Sequence, residues 1–197
     1  MQLIASAPID YLGSDDVIQS ASPQVVNLAR QLRVEGASDA EFARVAYEWV
    51  RDEVAHSWDA QDSRVTLSAE EVLDQRVGLC FAKSHLFAAL LRSQGIPAGL
   101  CYQRLGNEED GHVLHGLVAI YLDDGWHRLD VRGNNDRVNA QFSLSEERLA
   151  WPVDPERGER DYPVVHTTVA TVVRAALAES DDAITLCLTG LPDALPE

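Results

Sequence analysis

The stretch GLCFAKSHLFAALLRSQGIP (residues 78–97) decides the fold. It predicts a helix from about Cys80 to Ser93, closed by Gly95 and followed by Pro97. Apolar residues cover most of its circumference, so it is expected to be a buried central helix. Cys80 stands at the start of this run, not in its middle. At a helix start, unpaired N–H groups and the helix dipole favour negative charge, and the thiolate is the nucleophilic form of cysteine. Gly78 is expected to let the backbone turn tightly and leave the sulfur open. The backbone N–H of Cys80 is itself a candidate oxyanion donor.

Upstream of this helix the chain predicts more helices. Ser22-Pro23 opens one to about Arg33. Ser38-x-x-Glu41 is a capping box before FARVAYEWVRDEV, an amphipathic helix, and Ser68-x-x-Glu71 repeats the signature before a short helix ending near Gly78. The intervening AHSWDAQDSRVTL reads as loop. Downstream the period changes: GLCYQRL (99–105), VLHGLVAIYL (113–122) and GWHRLDV (125–131) read as three strands. Helices followed by an antiparallel sheet indicate an α+β fold, with N-terminal helices and the central helix packed on the sheet. SLSEERLAW and TVATVVRAALAES are expected to be helical, and LPDALPE a terminal tail.

At 197 residues, 46% apolar and 24% charged, the chain is expected to be a single domain over 1–197 with a sizeable core. Sixteen basic against 32 acidic residues give a charge of −16, which argues against nucleic-acid or anionic-membrane partners. No apolar run approaches the roughly 18 residues a membrane span needs. The acidic N-terminus lacks a secretory pattern, so a cytoplasmic location is expected. Nothing specifies an oligomeric state. Three cysteines without metal-like spacing indicate neither a disulfide framework nor a zinc site.

A nucleophilic cysteine needs a base. Of six histidines, His115 lies within an apolar strand, an expensive place for imidazole unless something pairs with it. Gly116 beside it is expected to leave room for a substrate. Asp130, on the next strand, is the candidate to orient the ring. The hairpin decides whether it reaches. With a four-residue loop, Leu122–Gly125, Tyr121 pairs with Trp126 and Asp130 becomes a diagonal neighbour of His115, roughly 7–8 Å away between backbones. A tight Asp124-Gly125 turn would set Asp130 opposite Ala119, out of reach. The wider loop, or an equivalent bulge, is therefore expected.

The segment AEEVLDQRVGLCFAKSHLFAALLRSQGIPA, followed by LHGLVAIYLDDGWHRLDV, resembles the core of the transglutaminase-like superfamily of papain-fold cysteine enzymes. The likeness covers roughly residues 40–135 and leaves 141–197 as a C-terminal extension. It implies Cys80 as nucleophile, His115 as base and Asp130 as orienting carboxylate. Two departures stand out: Gly116-Leu117 where the family usually has Ala-Trp, and Val131 where it often has Pro or Thr. A second oxyanion donor is expected upstream, and Trp58 and His56 are the candidates. No calcium-loop motif is present.

The remaining candidates read more plainly. His112 and His115 form an HxxH whose side chains on a strand point to opposite faces, a poor chelate. His85 is expected to be a packed helix histidine and His127 exposed. Cys101 and Cys187 are expected in the core, and Glu108–Asp110 and Asp181–Asp182 in solvated loops. The expected function is a cysteine enzyme acting on amide or acyl bonds through a thioester, with a hydrolase favoured. Acyl transfer, or a non-catalytic binding module on the same scaffold, are the alternatives. The expected partner is a protein, peptide or small amide substrate, with no cofactor and no metal.

Overall fold

A computed structural model of the chain describes residues 1–107 and 111–196. The expected Glu108–Asp110 loop lies outside these described residues. After a short 3-10 turn at Pro8–Leu12 come α1 (Pro23–Leu32) and α2 (Asp39–Glu53), then the two-residue strand β1 (Ala55–His56) and the one-turn helix α3 (Ser57–Ala60). Helix α4 (Ala69–Gln75) and strand β2 (Val77–Gly78) lead into α5 (Cys80–Ser93). Strands β3 (Ala98–Gly106), β4 (His112–Leu122), β5 (Gly125–Leu129) and β6 (Arg160–Asp161) form one antiparallel sheet in the order β5-β4-β3-β6, and α6 spans Thr171–Glu179. This is the α+β architecture the sequence predicts. No helix among the described residues is long and apolar enough to cross a membrane.

Local chemistry sets the helix ends. Both capping boxes form: Ser38 and Ser68 accept from the N–H groups of Glu41 and Glu71, whose carboxylates reach back to the cap backbone. Ser22 makes no cap bond and donates instead to Glu70 of α4. Every residue of α5 from Cys80 to Arg92 is buried. Burying leucines such as Leu86, Leu90 and Leu91 stabilises the fold by about 1.5–3 kcal/mol each. Leu114, Val118 and Ile120 of β4 share the main core with α5, whereas Leu117 and Ala119 join Tyr11, Cys101 and Val165 in a second, smaller cluster.

Four expectations are corrected here. The AHSWDAQDSRVTL stretch is not all loop, because Ala55–His56 pairs in parallel with Val77–Gly78 and a helical turn follows. SLSEERLAW forms no helix. Its backbone is committed elsewhere, with the Ala150 N–H donated to Asp130 and the Arg148 carbonyl accepting from Gln141, and Pro152 disfavours helical geometry at Trp151. Asp182 is not simply a solvated loop residue, since its carboxylate accepts from Thr185 N–H and caps the turn Ala183–Thr185. Gly78 adopts no left-handed backbone. It is small because a Cβ there would lie 2.9 Å from Thr66 Oγ1 and 3.2 Å from Ala82 Cβ.

His85 is the packed helix histidine expected, with Nδ1 2.7 Å from the Leu67 carbonyl. Burial holds its pKa down to about 4, from 6.5. Above about pH 6.5 neither state binds this proton. As pH falls below that value the unfolded chain is protonated first, so folding weakens until the folded ring titrates near 4. The loss amounts to about 3 kcal/mol across that range. Urea unfolding between pH 7 and pH 4 is expected to show this slope, and His85→Leu to flatten it. An equal slope in both proteins would remove His85 as the cause.

Candidate functional site

The hairpin registers Tyr121 with Trp126 and Leu122 with Gly125. This is the register of the wider loop, but it is closed by a tight two-residue turn at Asp123-Asp124. Both aspartates take positive φ, 51° and 60°, the geometry favoured in two-residue hairpins. Extending that register places Asp130 as a diagonal neighbour of His115. The two meet: His115 Nε2 lies 2.8 Å from Asp130 Oδ2.

Asp130 is fixed at several points. Its Oδ2 also accepts from the Ala150 N–H at 2.9 Å, and its Oδ1 from the Arg132 N–H at 2.9 Å. The Tyr47 hydroxyl of α2 donates to its carbonyl at 2.8 Å. Asp130 is fully buried and His115 only 4% exposed, so the pair sits in low dielectric. For Asp130, burial opposes ionisation, but the His115 charge and the donated hydrogen bonds outweigh it and lower the pKa. For His115, burial opposes the charged ring, while the charges of Asp130 and Cys80 and hydrogen bonds to both hold its pKa above the ordinary value. Nε2 is taken by Asp130, which leaves the other ring nitrogen for the Cys80 side.

Cys80 opens α5 with no side-chain cap ahead of it. The Gly116 N–H donates to its sulfur at 3.4 Å. Gly116 does not leave room for a substrate, as the sequence suggested, because Phe81 fills that space. A Cβ at Gly116 would lie 2.7 Å from Phe81 Cδ1 and 3.1 Å from Phe81 Cα. The missing side chain lets the helix start press directly on β4, and this brings Cys80 to His115. Gly116→Ala is therefore expected to destabilise the protein by about 1–3 kcal/mol through overpacking. Chemical denaturation checks this, and an unchanged midpoint would show that the contact relaxes freely.

These residues open onto a cleft of about 910 Å³. His56 and Trp58 both line it. The β1–β2 pair sets His56 beside Gly78, two residues ahead of Cys80. His56 Nδ1 is buried without a hydrogen-bond partner among the described residues. Burial first, then the charges of Arg132, Lys83 and His115, depress the His56 pKa well below 6.5, so the ring is neutral near pH 7. Trp58 is 38% exposed at the cleft wall. Cys187, expected in the core, is half-buried and lines the same cleft, while Cys101 is in the core. His127 is half-buried, with Nε2 3.1 Å from the Leu122 carbonyl, and not exposed.

Sequence reasoning missed two contributors. Lys83, one helical turn after Cys80, is wholly buried and donates to the Arg51 and Val54 carbonyls at the end of α2. Desolvation brings its pKa down to about 7. This ties α2, and so the start of β1, to the base of the site. Trp151 lines the cleft and stands perpendicular to the His115 ring, with centroids 5.0 Å apart. Lysine in an apolar helix is a signal available to sequence reading, since it must find partners when buried. Trp151 carries no such signal. Among the described residues no group of three His, Cys, Asp or Glu side chains has metal-binding geometry.

Comparison with known proteins comes at three levels. No curated protein matches the chain in sequence. Among solved structures, a candidate cysteine protease from Cytophaga hutchinsonii shares 21% identity over 63% of this chain and 41% of that one, with a TM-score of 0.50. At that identity the likeness concerns the fold. A TGase shares 19% identity over 62% of this chain and 33% of its own, at TM-score 0.42. A candidate protease from Parabacteroides distasonis shares 14% over 62% and 25%, at 0.43. The chain thus spans less than half the length of these structures. The family model of the transglutaminase-like superfamily matches residues 26–131, more than half the chain and a span holding Cys80, His115 and Asp130, and the chain belongs to that superfamily.

Proposed function

We propose that this chain is a cysteine enzyme that cleaves amide or related acyl bonds through a thioester, with hydrolysis as its reaction. The observation that carries this reading is the buried His115–Asp130 hydrogen bond set behind a cleft whose wall carries both Cys80 and His115. Cys80 Sγ attacks the substrate carbonyl, and the developing oxyanion is held by the Cys80 N–H and an upstream donor. The His115 imidazolium, stabilised by Asp130, gives its proton to the leaving amine. The ring then takes a proton from water as the water attacks the thioester, which releases the acid and returns the thiolate. The substrate is a protein, peptide or small amide. Capture of the thioester by an amine in place of water is the acyl-transfer alternative.

Between the two upstream donors, His56 is favoured over Trp58. It lies next to Gly78 on a paired strand, lines the cleft, and is neutral near pH 7. His56→Ala is expected to lower kcat about 10²-fold or more with little change in KM. A Trp58→Ala loss of that size, with His56→Ala silent, would reverse the assignment.

The test of the whole reading is carboxymethylation with limiting iodoacetate at pH 6, read by peptide mass. Cys80 should be labelled well ahead of Cys101 and Cys187, whose thiols burial pushes up to about 12, and His115→Ala should abolish the preference. Equal, slow labelling of all three thiols would overturn the enzyme reading in favour of a binding module. An activity-based screen of acyl substrates, with and without added amine, then separates hydrolysis from transfer.

A further inference from the structure

Trp151 lies 20 positions beyond the end of the family match at residue 131, yet it is built into the centre of the site. Its backbone is anchored on one side by the Ala150 N–H, donated to Asp130 Oδ2 at 2.9 Å. On the other side the Trp151 carbonyl accepts from Gln103 Nε2 at 3.4 Å. Its ring stands at 87° to the imidazole of His115 with centroids 5.0 Å apart. The Arg132 guanidinium lies over the same indole, 5.1 Å from its centroid. Arg132 is only 5% exposed and is itself held by Asp59 of α3, at 2.5 and 2.9 Å. Asn135 Nδ2 adds donors to both Asp59 oxygens at 3.3 and 3.2 Å.

We propose that Trp151 is a positioning residue of this site: its indole, clamped by the Asp59–Arg132 pair, fixes the plane of the His115 ring and keeps water from the His115–Asp130 hydrogen bond. The clamp runs from the short helix after His56, through Arg132, to the base. It therefore links the oxyanion side of the cleft to the proton-transfer side.

Two opposed effects decide the consequence of removing the ring. Water entering the gap would relieve the burial that disfavours a charged imidazole, and it would also screen the attraction to Asp130. In the intact site attraction outweighs burial, so hydration lowers the proton affinity of His115 toward its ordinary value. The groups facing His115 are Asp130 and Cys80, with His56 from β1 also in range; Lys83 of α5 and Arg132 stand behind Asp130 and His56. A change at Trp151 replaces none of these groups; of them Arg132 alone loses a contact, and its Asp59 pair still holds it.

This inference rests on Cys80 as nucleophile and His115 as its partner. The experiment is the pH profile of Cys80 carboxymethylation by iodoacetate, with folding confirmed by thermal melting. Trp151→Ala is expected to move the upper midpoint, where the imidazolium loses its proton, down by about one pH unit and to slow labelling on that alkaline limb about tenfold. Trp151→Phe, which keeps an aromatic face, should return most of both. Trp151→Leu fills more of the volume without a flat ring and carries the test if the alanine protein does not fold. It should behave as Trp151→Ala does. A folded alanine or leucine variant with an unmoved profile overturns the positioning role, since mere packing would change stability alone. If the unsubstituted chain does not label Cys80 selectively, the reading of the site fails instead.

Discussion

Asp130→Asn is expected to lower kcat/KM about 10³–10⁴-fold on any acyl substrate the native chain turns over. Three N–H groups converge on this carboxylate: Arg132 on Oδ1, and Ala150 and His115 on Oδ2. A carboxylate accepts all three. An asparagine has one accepting atom and one NH₂ group, so either amide orientation leaves at least one donor facing another donor at a fully buried position. His115 can escape by moving its proton off Nε2. That proton then sits on the nitrogen facing Cys80, where the base must be empty to accept one.

Loss of the negative charge also removes the attraction that raises the His115 pKa. Stability should fall by about 1–3 kcal/mol at pH 7 from the unmet donors. The pH dependence carries a second signature. The lowered pKa of Asp130 contributes stability that is present above about pH 4, the unfolded value, and lost as pH falls through the folded value. That acid-side loss should be absent from the asparagine variant. A folded Asp130→Asn protein within tenfold of native activity would remove Asp130 from the chemistry.

How much of this was legible in the sequence depended on whether the signal was local. Ser38 and Ser68 announce their helices because a capping box needs only four residues, and both boxes form. The buried α5 was legible from its apolar circumference. The hairpin was half legible. Parity and reach gave the Tyr121–Trp126 register, but the turn lies at Asp123-Asp124, two residues that tolerate positive φ without being glycine. The β1–β2 pair was not legible, since two residues have no period and pair only because distant segments meet. Nor was Trp151. SLSEERLAW has the pattern of a helix, and the demand of Asp130 for the Ala150 N–H overrode it. Gly116 was noticed for its missing side chain, but only the packed structure shows Phe81 filling the space.

Arg92→Ala is expected to cost about 3 kcal/mol or more, since it leaves buried main-chain carbonyls unmet at about 1–3 kcal/mol each. Arg92 closes α5 from within, 5% exposed, and has no carboxylate partner among the described residues. Its three donors go instead to main-chain carbonyls of three separate segments: Nε to Ala98 at the start of β3, one terminal nitrogen to Gly13 in the N-terminal loop, the other to Thr167 before α6, all at 2.7–2.8 Å. Burial lowers its pKa to about 10, so it remains charged at pH 7. Alanine strands three carbonyls and deletes the packed stem, while lysine offers one ammonium that cannot span the three and should recover less than half the loss. The neighbouring bridges, Ile4 to Val164 and Leu100 to His166, hang on the same junction. Hydrogen exchange in Arg92→Ala should therefore quicken first at residues 164–167 and at Leu100, ahead of α5 itself. A urea midpoint change equivalent to less than about 1 kcal/mol would mean that water replaces the guanidinium without strain, and that the terminal segments are held by their strand bridges instead.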